Sequence, residues 1–552
     1  MLNKNNWVKT GEYASITDAV LKKSGRTLEE IMNPKTANPR NIEGLPAAAS
    51  AIETAIENNM PIVIVGDYDA DGITSTAILA RLITALGGHP KLIIPRRFSN
   101  GYGLSEQIVS DIHNSLLITV DNGISAVEQI AQAKVQGNQV IVLDHHLPMD
   151  TLPAADVLVD PHVSPEKNEY VEYCGAGLAY KLSQLMLTPK TIPHKGILLR
   201  NLCVLACIGT IADVVPMTGD NRYIIKDGLR SMNDVRERET LYSGVRALLN
   251  LVGDAPYTEE TVKFQLAPII NATGRLYDAG STSVLKVLLT PNMKDALVYA
   301  GKMQNINEHR KKLVSDWMER IHPHCEKQQE NRIIAIAAKG IPEGIVGIIA
   351  GKIAAEFRRP AFVFSNDDKQ PGIYKGSGRS YGGFDLSGML EQILPHCVAG
   401  GGHAGAAGIS VSKEKLIPVM RMMNQYMVSK GYCVDYSLYY DIEITEEDIP
   451  GAYNEMKLLA PFGEGVECPV FRINGFTCRP NRQGELFRLM GSKQEHLKLN
   501  GNAVSAVGFD MAQQFEEQQR PDTVDIIGTI SENVWRGTVS LQISINDFSR
   551  KE

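Results

Sequence analysis

The stretch Pro61-Ile-Val-Ile-Val65-Gly-Asp67-Tyr-Asp69-Ala-Asp71-Gly72 joins two signals. Its first half is a short, apolar, β-branched run, which reads as a strand buried on both faces. Its second half sets three aspartates in alternation directly after that strand. At the carboxyl end of a strand in an open α/β sheet, side chains project into the crevice where ligands bind. Three carboxylates so close repel one another unless cations neutralise them. The Asp-x-Asp-x-Asp-Gly string also matches the start of an EF-hand loop. Such a loop needs a preceding helix and a glutamate at its twelfth position, where Ile78 stands.

Working outward, strands and helices alternate. Ala47–Asn59 reads as a helix, Thr74–Leu86 as another, Leu92–Ile94 and Ser115–Val120 as strands, Ser125–Gln136 as a helix and Gln139–Leu143 as a further strand. That alternation predicts an α/β domain with a parallel sheet covered on both faces. Residues 1–45 read as a polar extension draped on this first domain. Cys203–Leu229 is mostly helical and broken at 213–216. Residues 295–329 read as one long charged helix, of the kind that spans between domains. A second α/β unit starts at the apolar run Arg332–Ile336, with a helix over Gly344–Phe357 and a strand over Pro360–Phe364. From Asp435 onward, short alternating strands punctuated by Gly, Asn and Pro predict a small β-barrel.

The bulk properties agree. The chain has 552 residues, 43 % of them hydrophobic and 22 % charged, enough for about three or four globular domains. Wholesale disorder, a collagen-like fibre and a disulfide-stapled miniprotein are excluded. Eight cysteines with no CxxC pair read as reduced, buried thiols, hence a cytoplasmic setting. No apolar run follows Met1, so no signal peptide is expected, and the strongest apolar stretch, near Val204–Ala212, reads as too short for a membrane span. The formal net charge of −7, from 56 basic against 63 acidic residues, is no global nucleic-acid signature, so any such binding must use local basic patches.

Further carboxylates obey the strand-end rule of the opening stretch. Asp121 follows Ile118-Thr-Val120, and Asp144-His145-His146 follows Val140–Leu143, now with two imidazoles. Asp213 follows an apolar helical run. Singly, each is an ordinary cap or turn residue. Jointly they predict a site for two divalent cations. Asp69, Asp71, Asp121 and Asp213 would supply hard oxygen ligands and His145 a nitrogen, a donor set suited to Mn²⁺, with Mg²⁺ or Co²⁺ as alternatives. Two cations in such a site suit in-line attack on phosphorus. His146 would face the substrate as electrophile or general acid. Asp144 would orient it, and Asp67 would serve as a ligand or stand behind the ligands.

These motifs together resemble the DHH phosphoesterase superfamily, named for the triplet at Asp144-His145-His146, and within it the RecJ family of single-strand-specific 5′→3′ DNA exonucleases. The motifs Gly66-Asp-Tyr-Asp-Ala-Asp-Gly72 and Gly209-Thr-Ile-Ala-Asp213 match at the metal centre. Gly376-Ser-Gly-Arg-Ser380 and Gly400-Gly-Gly-His403 match an accessory DHHA1 domain, and Pro461-Phe-Gly-Glu-Gly465 the entry to an oligonucleotide-binding barrel. The resemblance implies an N-terminal extension (1–45), a DHH catalytic domain (46–294), a connecting helix (295–330), a DHHA1 domain (331–434) and an OB-type barrel (435–552). It places Asp67, Asp69, Asp71, Asp121, His145 and Asp213 at the metals and His146, with Asp144, at the scissile phosphate. It places Arg97, Ser377 and Arg379 around a 5′-terminal phosphate, Tyr102 against a terminal base, Arg275 on the backbone, and His403 on the substrate side. A Gly-Ser-Gly turn at residues 376–378 would free backbone N–H groups for an anion. Departures from the family pattern stand at Ile269-Ile270, at Ile341-Pro-Glu343, and at Asp160-Pro161, where an asparagine is common. None touches a metal ligand.

On the barrel, Arg472, Arg479, Arg482, Arg488, Lys493 and Lys498 interleave with Phe471, Phe476 and Phe487. Cations that track phosphates and aromatics that stack bases make a generic single-strand platform. The expected function is metal-dependent hydrolysis of single-stranded DNA from the 5′ end to mononucleotides by a monomer in DNA repair or recombination. The family implies a single-strand-binding protein and a helicase as partners, and no membrane. The alternatives are a DHH phosphodiesterase of short oligonucleotides or cyclic dinucleotides, and a catalytically dead DNA-binding scaffold.

Overall fold

The computed structural model describes residues 6–551 apart from 100, 102, 368, 492, 503, 536 and 537. The chain divides into two compact units. The first comprises residues 1–270, 281–300 and 438–552, and the second residues 271–280 and 301–437. The expected long helix exists as Met293–Glu326, 34 residues.

In the first unit, the opening stretch becomes β1 (Ile62–Val65), buried at every position, followed by α1 (Ala70–Ala85). β2 (Lys91–Ile93), β3 (Leu116–Val120), α2 (Val127–Val135), β4 (Gln139–Leu143) and β5 (Val157–Val159) complete a five-stranded sheet in the order β2-β1-β3-β4-β5. Every pair in it is parallel. A strand buried on both faces needs no polar alternation, which is why β1 reads as continuous Val and Ile and β3 and β4 as mostly Val, Ile and Leu. The carboxyl ends of β1, β3 and β4 therefore lie side by side. Each delivers one of the acidic segments.

Three helices follow: α3 (Gly175–Leu187), α4 (Lys195–Asp213) and α5 (Gly219–Asn233). α4 is long and apolar enough to cross a membrane by length and composition. It is nevertheless a core helix, with Asn201–Ile211 buried throughout. The expectation that no stretch here reaches membrane-spanning length is thus corrected: the apolar run begins well before Val204.

The N-terminal segment is not draped on the first domain alone. Its strand Trp7–Lys9 pairs in parallel with Leu438–Tyr440, and Ile16 joins the hydrophobic core of the C-terminal barrel. Further along, Arg222 of α5, 1 % exposed, donates to the carbonyls of Ile31, Leu459 and Pro461. One buried guanidinium so binds the extension and the barrel's entry segment to the catalytic helices.

The C-terminal sheet has seven strands, β11 (Ile442–Thr445) to β17 (Thr538–Arg550) in chain order, with β12 at Phe471–Thr477, β13 at Phe487–Met490, β14 at His496–Asn500, β15 at Val504–Gly508 and β16 at Thr523–Trp535. The intervening labels β6 to β10 belong to the second unit. Here the stacking expectation is corrected. Phe471 and Phe476 are fully buried and pack into the barrel core, and Phe487 lies edge-on to Phe515. A barrel this small fills its interior with alternate side chains, and large apolar rings win those positions. Arg472 is also structural: it sits over the rings of Trp7 and Tyr440. Arg479, Arg482, Arg488 and Lys493 are exposed.

The second unit holds β6 (Ile334–Ala337), the helix Glu343–Phe357, β7 (Ala361–Asn366), β8 (Ile373–Arg379), β9 (Ala399–Gly402) and β10 (Ala406–Ser412), in the order β9-β10-β8-β7-β6. The expected Gly-Ser-Gly turn is instead a central antiparallel strand. Gly376, Ser377 and Gly378 pair with β7 on one side and β10 on the other. The glycines are there for packing: a Cβ on Gly376 would lie 2.4 Å from the ring of Phe364, and one on Gly378 2.3 Å from that of Phe362. Flat rings from the neighbouring strand occupy the space that side chains would take.

Candidate metal centre

The site begins with a cap. Asp69 precedes α1, and its Oδ1 accepts hydrogen bonds from the backbone N–H of Asp71 (3.0 Å) and Gly72 (3.1 Å). An aspartate is favoured at a helix N-cap for this reason. The cap turns the chain into α1 directly after Asp69. Asp121, one residue beyond β3, adopts the left-handed conformation at φ 60°. Asp144 directly follows β4, and Asp213 closes α4.

Tertiary structure gathers these groups. His145 Nε2 lies 3.0 Å from Asp121 Oδ1, 3.7 Å from Asp213 Oδ2 and 3.8 Å from Asp71 Oδ2. Two triplets share no residue: Asp71, His145 and Asp213 form one, and Asp67, Asp69 and Asp121 the other, each with its ligand atoms within 4.8 Å of one another. Asp67, Asp71 and Asp121 are at most 3 % exposed. Oδ1 of Asp67 is buried and accepts no hydrogen bond. A buried carboxylate oxygen without a donor is costly in a protein alone. It is well suited to a cation.

Electrostatics points the same way. Burial first, and neighbouring carboxylates second, push Asp67, Asp121 and Asp213 well above the usual carboxylate range. Burial pushes His145 down, which favours the neutral imidazole that a metal requires. Divalent cations would reverse this for the carboxylates by supplying the missing positive charge. The donor set, five carboxylates and one imidazole, fits hard to borderline divalent ions.

A third triplet, Asp121, His145 and His146, also brings its ligand atoms within 4.8 Å of one another, so His146 borders the cluster. Its Nδ1 lies 2.8 Å from Asp144 Oδ1, and its side chain is 45 % exposed. Asp144 is itself fixed by N–H donors from Ile124 (2.9 Å) and His145 (2.8 Å). Burial opposes charge on both partners, but their mutual hydrogen bond outweighs it: Asp144 is held at about 2 and His146 at about 9. The pair is an imidazolium carried on a fixed carboxylate. Asp160, at the end of β5 beside Asp144, is pushed up to about 7 by burial and then by that neighbour's charge.

The remaining sequence-predicted residues fall in two places. In the first unit, Arg97 carries its guanidinium 4.9 Å from the ring centre of Tyr68, the residue between Asp67 and Asp69 in the sequence. Tyr102 lies outside the described residues. In the second unit, Arg379 donates to Ser377 Oγ (3.0 Å), Arg275 reaches the carbonyl of Gly344 (3.4 Å), and exposed His403 accepts at Nδ1 from the N–H of Gly405 (3.2 Å).

Sequence reading missed two parts. Tyr68 supports Arg97. The N-terminus of α3 supports Asp71, whose Oδ2 and Oδ1 accept from the N–H of Gly175 (2.7 Å) and Ala176 (2.9 Å). No spacing rule links residue 71 to residue 175. A helix start rich in small residues was the one available signal.

Family models match in three places: the DHH family N-terminal domain over residues 61–210, the DHHA1 domain over 330–429, and the RecJ OB domain over 440–547. The single-stranded-DNA-specific exonuclease RecJ of Bacillus subtilis is 33 % identical over 93 % of this chain, which spans 64 % of that relative's length. The protein of the same name from Thermus thermophilus is 30 % identical over 96 % of this chain and 74 % of its own length. The crystal structure of RecJ in complex with Mn²⁺ from T. thermophilus superposes with a TM-score of 0.79 at 27 % identity, covering 97 % of this chain and 76 % of that one.

Proposed function

The chain belongs to the RecJ family of DHH phosphoesterases, and from that premise we propose that it hydrolyses single-stranded DNA from the 5′ end to mononucleotides, with two divalent cations, Mn²⁺ foremost, held by Asp67, Asp69, Asp71, Asp121, His145 and Asp213. The observation that carries this reading is the pair of disjoint triplets, bordered by the His146 imidazole that Asp144 holds at Nδ1. When bound, the cations supply the Lewis acidity and the nucleophile activation that phosphodiester hydrolysis needs near neutral pH. The protein supplies the rest. Asp144 fixes the ring of His146 through Nδ1, so that Nε2–H faces the scissile phosphate, stabilises charge developing there, and can pass a proton to the leaving oxygen.

Arg97, braced on Tyr68, offers a planar fork to a phosphate. Within the second unit, Ser377, Arg379, Arg275 and His403 are the groups assigned to the substrate, and Tyr102 is assigned to a terminal base. Arg488 and Lys498 are directly opposed across β13 and β14. Like charges in that position disfavour the sheet, and a phosphodiester backbone relieves them. The reading places the protein in DNA repair or recombination, in a reducing cytoplasm, beside a single-strand-binding protein and a helicase.

The test is a DNA strand labelled at one end, single-stranded or in duplex, with Mn²⁺, Mg²⁺ or EDTA. Progressive release of mononucleotides from the 5′ end, on the single strand and only with metal, supports the reading. Cleavage confined to di- or trinucleotides, or tight binding without cleavage in any metal, overturns it.

A further inference from the structure

We propose that the first turn of α3, together with a buried Tyr173–Asp220–Lys181 network behind it, sets the metal affinity of the centre by positioning Asp71. This rests on the metal-centre reading above. Three sets of contacts carry it.

The first is the clamp. Both carboxylate oxygens of Asp71 are held by consecutive backbone N–H groups at the start of α3. These are the orphan donors of a helix N-terminus, where the macrodipole also favours negative charge. They hold Asp71 in one orientation, beside His145 and Asp213.

The second is the fit. A Cβ on Gly175 would lie 2.6 Å from the Cβ of Asp121 and 3.0 Å from Oδ2 of Asp71. Only glycine lets α3 approach both carboxylates at once, so the distance between them depends on where this turn sits.

The third is the anchor. Cys174 caps α3, its Sγ accepting from the N–H of Gly177 (3.3 Å). Immediately before it, Tyr173, fully buried, donates its hydroxyl to Asp220. Asp220, 1 % exposed, also binds Lys181 Nζ (3.0 Å) and accepts from the N–H of Ala37 (3.2 Å), and Lys181 donates to the carbonyl of Ala37 (2.6 Å). Lys181 lies on α3 and Asp220 on α5. The network therefore locks the start of α3 against α5 and the N-terminal segment. Residues that orient ligands from behind change metal affinity by about ten- to a hundredfold when removed.

Asp220→Asn would strand Lys181 as a buried cation and endanger folding, so the decisive variants are Tyr173→Phe and Gly175→Ala. For each full-length protein two quantities are measured: the Mn²⁺-induced rise in melting temperature from an EDTA baseline, and the Mn²⁺ concentration for half-maximal hydrolysis of single-stranded DNA. The expected result is a half-saturating Mn²⁺ raised about tenfold or more in both readouts, with kcat at saturating Mn²⁺ recovered for Tyr173→Phe. Half-saturating Mn²⁺ within twofold of wild type in both readouts for Tyr173→Phe overturns the proposal, whether or not Gly175→Ala folds. A wild-type protein that Mn²⁺ does not stabilise at all overturns instead the metal-centre reading beneath it.

Discussion

Oδ1 of Asp144 lies 2.8 Å from Nδ1 of His146, while the adjacent imidazole, His145, turns its Nε2 to Asp121 at 3.0 Å. Two neighbouring histidines thus face opposite tasks, because one is paired with a carboxylate at its near nitrogen and the other is buried among ligand atoms. Asp144→Asn removes the charge that holds His146 at about 9. His146 then loses its proton at lower pH, since a cation whose stabilising partner is gone falls back toward the free value of about 6.5. We expect kcat to drop by about 10²-fold or more and the alkaline limb of the pH–rate profile to move down, with binding of single-stranded DNA retained. A steady-state profile from pH 6 to 10 checks this.

Asp121 shares one ligand triplet with Asp67 and Asp69 and another with His145 and His146. Asp121→Ala should abolish hydrolysis and leave DNA binding intact, as measured by filter binding beside an end-label assay. Cleavage at the wild-type rate would remove Asp121 from the metal centre.

The carboxyl of Asp160 is buried, one of its oxygens has no hydrogen-bond partner, and its pKa stands at about 7 against a free value near 4. The folded state therefore holds this proton more tightly than the unfolded chain does. Stability from this group is present below about pH 4 and is lost as pH rises to about 7. Urea unfolding in EDTA across that window should show falling stability with rising pH, and Asp160→Asn should make the slope shallower.

Arg222→Met leaves the carbonyls of Ile31, Leu459 and Pro461 without their shared donor. Unsatisfied buried acceptors cost about 1–3 kcal/mol each. A loss of at least about 3 kcal/mol in urea unfolding is expected, with the N-terminal segment becoming the first site of proteolysis.

Arg488 and Lys498 oppose one another on the barrel. If both contact phosphates, Arg488→Ala should weaken single-strand binding evenly across sequences and reduce the log–log salt slope by about 0.7. An unchanged slope, read by fluorescence anisotropy from 50 to 300 mM salt, places the strand elsewhere.

The sequence alone determined the parallel sheet and the strand ends that carry Asp67, Asp121 and Asp144. Continuous Val/Ile/Leu runs followed by acidic turns are local patterns, and the rule that ligands gather at carboxyl strand ends needs no coordinates. It also supplied the long helix and the β-rich C-terminal region. Tertiary structure decided the rest, because closure between distant segments leaves no local trace. His145 meets Asp213 from 68 residues away because α4 packs against α1 and α3. Gly175 reaches Asp71 only because α3 can approach without a side chain. The Gly376–Gly378 pattern suits an anion-binding turn as well as a strand packed against Phe362 and Phe364, and Phe471 and Phe476 suit a stacking platform as well as a barrel core. Glycine and phenylalanine are read by the space around them, and that space belongs to the fold.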